Sequence, residues 1–414
     1  MASENKAFQN NSIFFAPIWT DDYKSFVSEL TKDSRYHIIP KKRVPQYLLP
    51  YITRIYTNDS LFMQFELNKE DLPHLCMFSE CLHLETAPVL QSMRLSCFST
   101  GCIFAEFYIT YEGLTVDQIT DFTYRFKNAM KTDTRNGYTL TLNSALEELL
   151  PKNIKTDRFF TGADFKQECK MFHQIGSKTP FTEEELQKYL VHLRRGYHRN
   201  FAFPKGDSDY DMIYQPYPYD HWAGSQEGIV NIFHHSGDSS TDYYLTHFKP
   251  AQLALNYRFM YLILLNQRFS AIHYLEQLTA FSQYSRKEQE NLTHKIAQLK
   301  TVFSFNVVSD DHLYQNIYTR MYTLLDIDRL LEDIRDNEEK IEMLQSYESL
   351  ENEKMTSRFL FGLSILSFFS VLVDAAGYFD RLPVLQEFST PLSFVCLLII
   401  VGSYFVWWLK YRKR

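Results

Sequence analysis

The chain has 414 residues and a formal net charge of −7, with a mean hydropathy of −0.30. Those values exclude a polytopic carrier, and 16% aromatic residues exclude a disordered chain. The acidic balance gives no electrostatic case for direct binding to duplex nucleic acid. Six scattered cysteines are too few for a disulfide scaffold and fit a reducing compartment. The polar start, residues 1–9, gives no sign of a signal peptide.

The sequence reads as an α+β chain in three parts. A mixed α/β cytoplasmic domain fills 1–250, with an aromatic insertion at about 200–250. A long helical stalk fills 251–358, and a two-helix transmembrane hairpin with a basic cytoplasmic tail fills 359–414. In the first part, Ser12–Trp19 and Leu61–Leu67 carry strand patterns. Met93–Phe98 and Cys102–Tyr111 read as a hairpin turning at Ser99-Thr100-Gly101, with Ile103, Ala105, Phe107 and Ile109 on one face. Thr115 with Gln118, and Thr182 with Glu185, have capping-box spacing and open two helices. The second helix is expected to end near Arg195.

His74, Cys76, Cys81 and His83 fall within ten residues, but their spacing fits no common zinc site, so they read as core. His234-His235 before Asp238 reads as a loop pair. No phosphate-binding loop, dinucleotide fingerprint or nucleophile elbow is present, so an enzyme is not expected. Arg194-Arg195-Gly196-Tyr197-His198-Arg199 is the densest basic cluster before the tail. Arg194, Arg195, Tyr197, His198 and Arg199 suit a phosphorylated nucleotide, through guanidinium contacts to phosphate and ring stacking on the base. The same bases are also favourable simply as a helix C-terminus.

Between Pro250 and Gly362 lie 111 residues without Gly or Pro. Phe259–Leu265 is apolar but short, and reads as a core helix. Ser309 is the expected N-cap of a helix running unbroken to Gly377, about 100 Å at 1.5 Å per residue. Its apolar positions step by three and four, from Leu313 through Ile334 and again from Ile341 to Leu350. Asp326–Glu353 holds eleven acids against three bases.

The tail reverses the average. From Lys354 onward, seven Lys/Arg face three Asp/Glu, a net of +4 that leaves −11 for the first 353 residues. Phe359–Val373 is fifteen residues without a charge, nineteen when counted through Asp374 to Gly377, and Pro391–Leu409 is another nineteen. Both are read as membrane spans. Basic flanks at Lys354, Arg358 and Lys410–Arg414 place both termini in the cytoplasm. Leu360, Ser364, Ser367, Val371 and Asp374 share one side of the first span and are read as pore-lining.

This order of parts resembles the CorA family of divalent-cation transporters. The family closes its first span with Gly-Met-Asn, where this chain reads Gly377, Tyr378, Phe379 and Asp380, followed by Leu382-Pro383. The resemblance implies a homo-oligomer, a pentamer in the family, in the cell inner membrane with the first span around a pore. The altered filter loop is similar to CorA-like accessory proteins of type III CRISPR systems. That variant implies an antiviral channel that answers a nucleotide messenger, an S-adenosylmethionine–AMP conjugate, and disrupts the membrane. The alternative is a transporter of Mg, Co, Ni or Zn cations regulated by its acidic stalk. No resident metal or other cofactor is expected.

Overall fold

The computed structural model describes residues 10–72, 88–127, 146, 150–151, 156–158, 169–202 and 212–379. The chain divides into two compact units, Met1–Ile334 and Arg335–Arg414.

The first unit is built on a ten-stranded sheet. Its strands are β1 (Asn11–Trp19), β2 (Tyr36–Ile38), β3 (Phe62–Leu67), β4 (Val89–Phe98), β5 (Cys102–Thr110), β6 (Asp157–Arg158), β7 (Lys170–Ser177), β8 (Met212–Tyr217), β9 (Asp220–Gly224) and β10 (Gly228–His234). Nine of them follow the order β2-β3-β4-β5-β1-β7-β10-β9-β8, and β6 pairs with β1 off that path. Among the described pairs only β7 with β10 is parallel. The β4–β5 hairpin turns at Gly101, whose φ of 102° suits glycine. A Cβ there would lie 2.5 Å from the Thr20 carbonyl oxygen.

Strand alternation gives the sheet two buried faces. On one, Phe14, Ala16 and Ile18 join Ile103, Ala105, Phe107 and Ile109 in a single apolar cluster. Helices α1 (Tyr23–Lys32), α3 (Val116–Lys127) and α4 (Glu183–Arg195) cover it with Phe26, Leu30, Ile119, Phe122, Leu190 and Leu193. Helix α2 (Pro50–Thr57) lies between β2 and β3 in the chain. On the opposite face lies α6 (Arg258–Thr279), with Tyr261 against Phe15 at 5.6 Å and Phe269 against Phe104 at 6.0 Å. Phe259–Leu265 is wholly buried, as a helix apolar all round must be. Each such side chain contributes about 1.5–3 kcal/mol on burial. The core reading of this stretch therefore matches the structure.

Three expectations differ. The aromatic stretch at 212–250 is no insertion: it supplies β8, β9 and β10, then α5 (Ser239–His247). Its Trp222 is 1% exposed, packed on the sheet face between Phe172 of β7 and Tyr257. Residues 258–324, read as stalk, fold within the first unit as α6, α7 (Arg286–Gln298) and α8 (His312–Leu324). Finally, the long helix starts later and is broken. Asp311, not Ser309, caps α8, accepting from the Leu313 and Tyr314 amides. Ser309 instead donates its hydroxyl to the Tyr47 carbonyl. The break falls at Leu325-Asp326, with Asp326 at a φ of 52°. Arg268 donates to the Leu325 carbonyl, and Gln226 Nε2 donates to Asp326 Oδ2 at 2.7 Å, so tertiary contacts hold it. Beyond it, α9 (Ile327–Phe379) runs for 53 residues.

Candidate functional site

The basic cluster sits where α4 ends. The helix begins with the expected capping box, in which the Thr182 hydroxyl accepts from the Glu185 amide and Glu185 accepts from the Thr182 amide. It ends at Gly196, left-handed at a φ of 62°. The five candidates do not form one group: Arg195 pairs with Tyr197 across the turn, His198 and Arg199 share Asp121, and Arg194 points inward. Arg194 is 1% exposed, and its carbonyl accepts from the Ser225 hydroxyl at 2.7 Å, so it faces no surface ligand. Arg195 Nη1 donates to the Tyr197 hydroxyl at 3.3 Å, and Tyr197 packs on Phe201 at 4.5 Å. His198 Nε2 and Arg199 Nε both meet the Asp121 carboxylate of α3, at 3.4 and 3.1 Å. Lys127 donates to the Arg195 carbonyl and pairs with Glu227 at 2.5 Å. These contacts fall in two places: Lys127 lies at the Arg195 backbone, whereas Arg199 lies at Asp121, about 9 Å away along α3, where a phosphate would compete with Asp121 for its guanidinium.

A second polar constellation was not singled out from sequence. On the face that carries α6, Gln64 Nε2 donates to the Ser96 hydroxyl at 2.7 Å, and Ser96 donates to Glu106 Oε1. Arg258 Nη1 of α6 donates to Glu106 Oε2 at 2.6 Å, where the Tyr108 hydroxyl also donates at 3.2 Å. Arg94 lies 4.4 Å from the Tyr108 ring centre and donates to Glu66 at 3.0 Å. Burial alone would raise the Glu66 carboxyl, but Arg94, with Ser92 and His37, outweighs it and holds the group below its ordinary range. Glu66 and His37 then open into a cavity of about 530 Å³, also lined by Asn68, Lys69, Glu70, Gln91 and Ser92. The signal was present in β4 and β5: Arg94, Ser96, Glu106 and Tyr108 alternate with the apolar positions.

His235 meets Asp242 at 3.5 Å, and Asp238 caps α5, a loop arrangement as expected. His74, Cys76, Cys81 and His83 lie outside the described residues. Among the described residues no three His, Cys, Asp or Glu side chains form a group that could hold a metal ion.

Leu360, Ser364, Ser367, Val371 and Asp374 all lie on α9, which also takes in Gly377, Tyr378 and Phe379 before ending. Leu360 and Val371 are exposed, and the Ser364 hydroxyl donates to the Leu360 carbonyl at 2.9 Å. Asp380 and the whole of Pro391–Leu409 lie outside the described residues. Among the described residues no helix is long and apolar enough to cross a membrane. The charge-free run Phe359–Val373 gives about 22 Å of helix, against roughly 30 Å of hydrocarbon.

Compared with known proteins, the chain matches no family model, no curated protein and no solved structure.

Proposed function

We propose that the chain is a homo-oligomeric, CorA-like membrane channel, opened by a small nucleotide messenger bound to its α/β unit. One observation carries the reading. Among the described side chains of 359–371, α9 exposes several large apolar ones, with Phe359 at 68%, Leu360 at 57%, Phe368 at 56% and Val371 at 63%. Apolar surface of this extent on one helix calls for lipid or for partner helices. The order of parts supports the same reading: a layered α/β unit, then a 53-residue helix that passes from an acidic stretch into that apolar end.

The bilayer and further copies of the chain are the partners this reading requires. The effector role in a type III CRISPR response, with an S-adenosylmethionine–AMP conjugate as messenger, rests on the resemblance of the filter loop. Arg199 at the surface of α3, and Arg195 with Tyr197 across the Gly196 turn, support a phosphate-bearing ligand by the chemistry of their side chains. Titration calorimetry of the full chain in detergent tests the ligand. The expected result is saturable heat that Arg199→Ala weakens; no heat from folded protein overturns messenger binding.

A further inference from the structure

His234, read from sequence as half of a loop pair with His235, has a different histidine beside its ring. Strands β9 and β10 run antiparallel with His221 opposite Ile232. His234 lies two residues beyond Ile232, so strand alternation puts both histidines on one face of the hairpin, on a diagonal. Their ring centres are 6.1 Å apart, with planes 30° apart.

Ala223, Val230 and Ile232 carry that face into the apolar cluster under α4. His221 stands near the start of β9 and His234 closes β10, at the same end of the hairpin, where both are half-buried and open to a solute. Asp220 points to the opposite face, where it pairs with Lys249 at 2.5 Å and cancels that charge.

The ring nitrogens are set for coordination. His234 Nδ1 donates to the His235 carbonyl at 2.7 Å. A carbonyl only accepts, so the proton of a neutral His234 ring sits on Nδ1 and Nε2 keeps its lone pair. Metal-bound histidines adopt this arrangement, with one nitrogen held by a carbonyl or carboxylate and the other on the metal. Burial and the neighbouring His234 hold the His221 ring below its ordinary pKa, so it too is neutral at pH 7 and has a lone pair to give.

Two imidazoles on one metal, at about 2.1 Å each, put their ring centres ~5 Å apart at the tetrahedral angle and ~6.5 Å apart when they lie opposite. The observed 6.1 Å falls inside that range. Rotation about the soft ring torsions of two half-buried side chains closes the site without moving a strand.

Imidazole nitrogen suits zinc, copper and nickel, whereas magnesium and calcium take oxygen. We propose that His221 and His234 form a two-histidine site for a divalent transition cation of the zinc class, with water completing the coordination sphere. The metal clips β9 to β10 just before the chain enters α5. The proposal stands on the cross-strand ring geometry and does not depend on the membrane reading.

Zinc titrated into the full chain in detergent, in competition with a chromogenic chelator, provides the test. The wild type is compared with His221→Gln, His234→Gln and His247→Gln, the last on α5 and outside the pair. The wild type should hold one more zinc than His221→Gln or His234→Gln, or hold it at least about tenfold tighter. His247→Gln should keep the site, and excess magnesium should not displace the zinc. Thermal unfolding without zinc should give all four proteins the same midpoint, which separates loss of the site from loss of the fold. Equal zinc binding by the four proteins would overturn the proposal. So would a loss confined to one of the two paired variants, which leaves a single-histidine contact, or a loss shared by His247→Gln.

Discussion

Arg258 of α6 and Glu106 of β5 meet 2.6 Å apart with side chains 3% and 0% exposed, an ion pair closed off from water between sheet and helix. Burial works against the Arg258 charge, but Glu106, with Tyr108 and Tyr56, more than restores it, so its pKa stands above the ordinary value. Removing one partner leaves the other charged, buried and alone. Glu106→Ala should cost about 3–5 kcal/mol. Replacing both, as Glu106→Leu with Arg258→Met, should cost far less. Urea unfolding of the wild type, Glu106→Leu, Arg258→Met and the double variant, followed by tryptophan fluorescence, measures the difference; additive losses would contradict it.

His173 of β7 is wholly buried, with Nδ1 2.6 Å from the Ser12 hydroxyl. Burial pushes its pKa down from 6.5 to about 3. The unfolded chain then takes up a proton that the folded chain refuses. Stability from this group is fully present above about pH 6.5 and is lost as pH falls from there to about 3. The loss is up to about 5 kcal/mol, at 1.36 kcal/mol per pKa unit. His173→Gln should flatten the acid limb of the stability curve in that window. An unchanged limb would show that other groups dominate it.

Gly196 holds the turn that brings His198 and Arg199 onto Asp121 of α3. A Cβ there would lie 2.9 Å from Lys127 Cδ and 3.1 Å from Met171 Cε, at a φ of 62°. Gly196→Ala should therefore destabilise by roughly 1–2 kcal/mol and loosen the meeting of His198 and Arg199 with Asp121. The amide signals of 197–199 report it, and no shift there would contradict the packing account.

Ending the chain after residue 353 should move it from a membrane pellet that resists alkaline carbonate to the supernatant. The same change should abolish detergent dependence. A truncated chain still held in the pellet would place the membrane contact in the α/β unit.

Local chemistry was legible in the sequence where one or two residues decide the outcome. The capping pairs Thr115–Gln118 and Thr182–Glu185 form as read, and the β4–β5 hairpin turns at its expected residues. Long-range decisions were not legible. The break at Leu325-Asp326 contains neither Gly nor Pro, and depends on Arg268 and Gln226 from distant segments. Strand β10 pairs in parallel with β7 across some fifty residues of chain, which no local pattern encodes. Arg194 looks like its neighbours in sequence, but the α4 helix turns it inward. The buried Glu106 finds its partner 152 residues away.

The channel reading is tested most directly by ion release from proteoliposomes holding the full chain, with and without the S-adenosylmethionine–AMP conjugate on the α/β side. The account predicts little release alone, rapid release with the conjugate, and reduced cation preference for Asp374→Asn. Equal release with and without the conjugate, or none from vesicles shown to contain inserted protein, would contradict it.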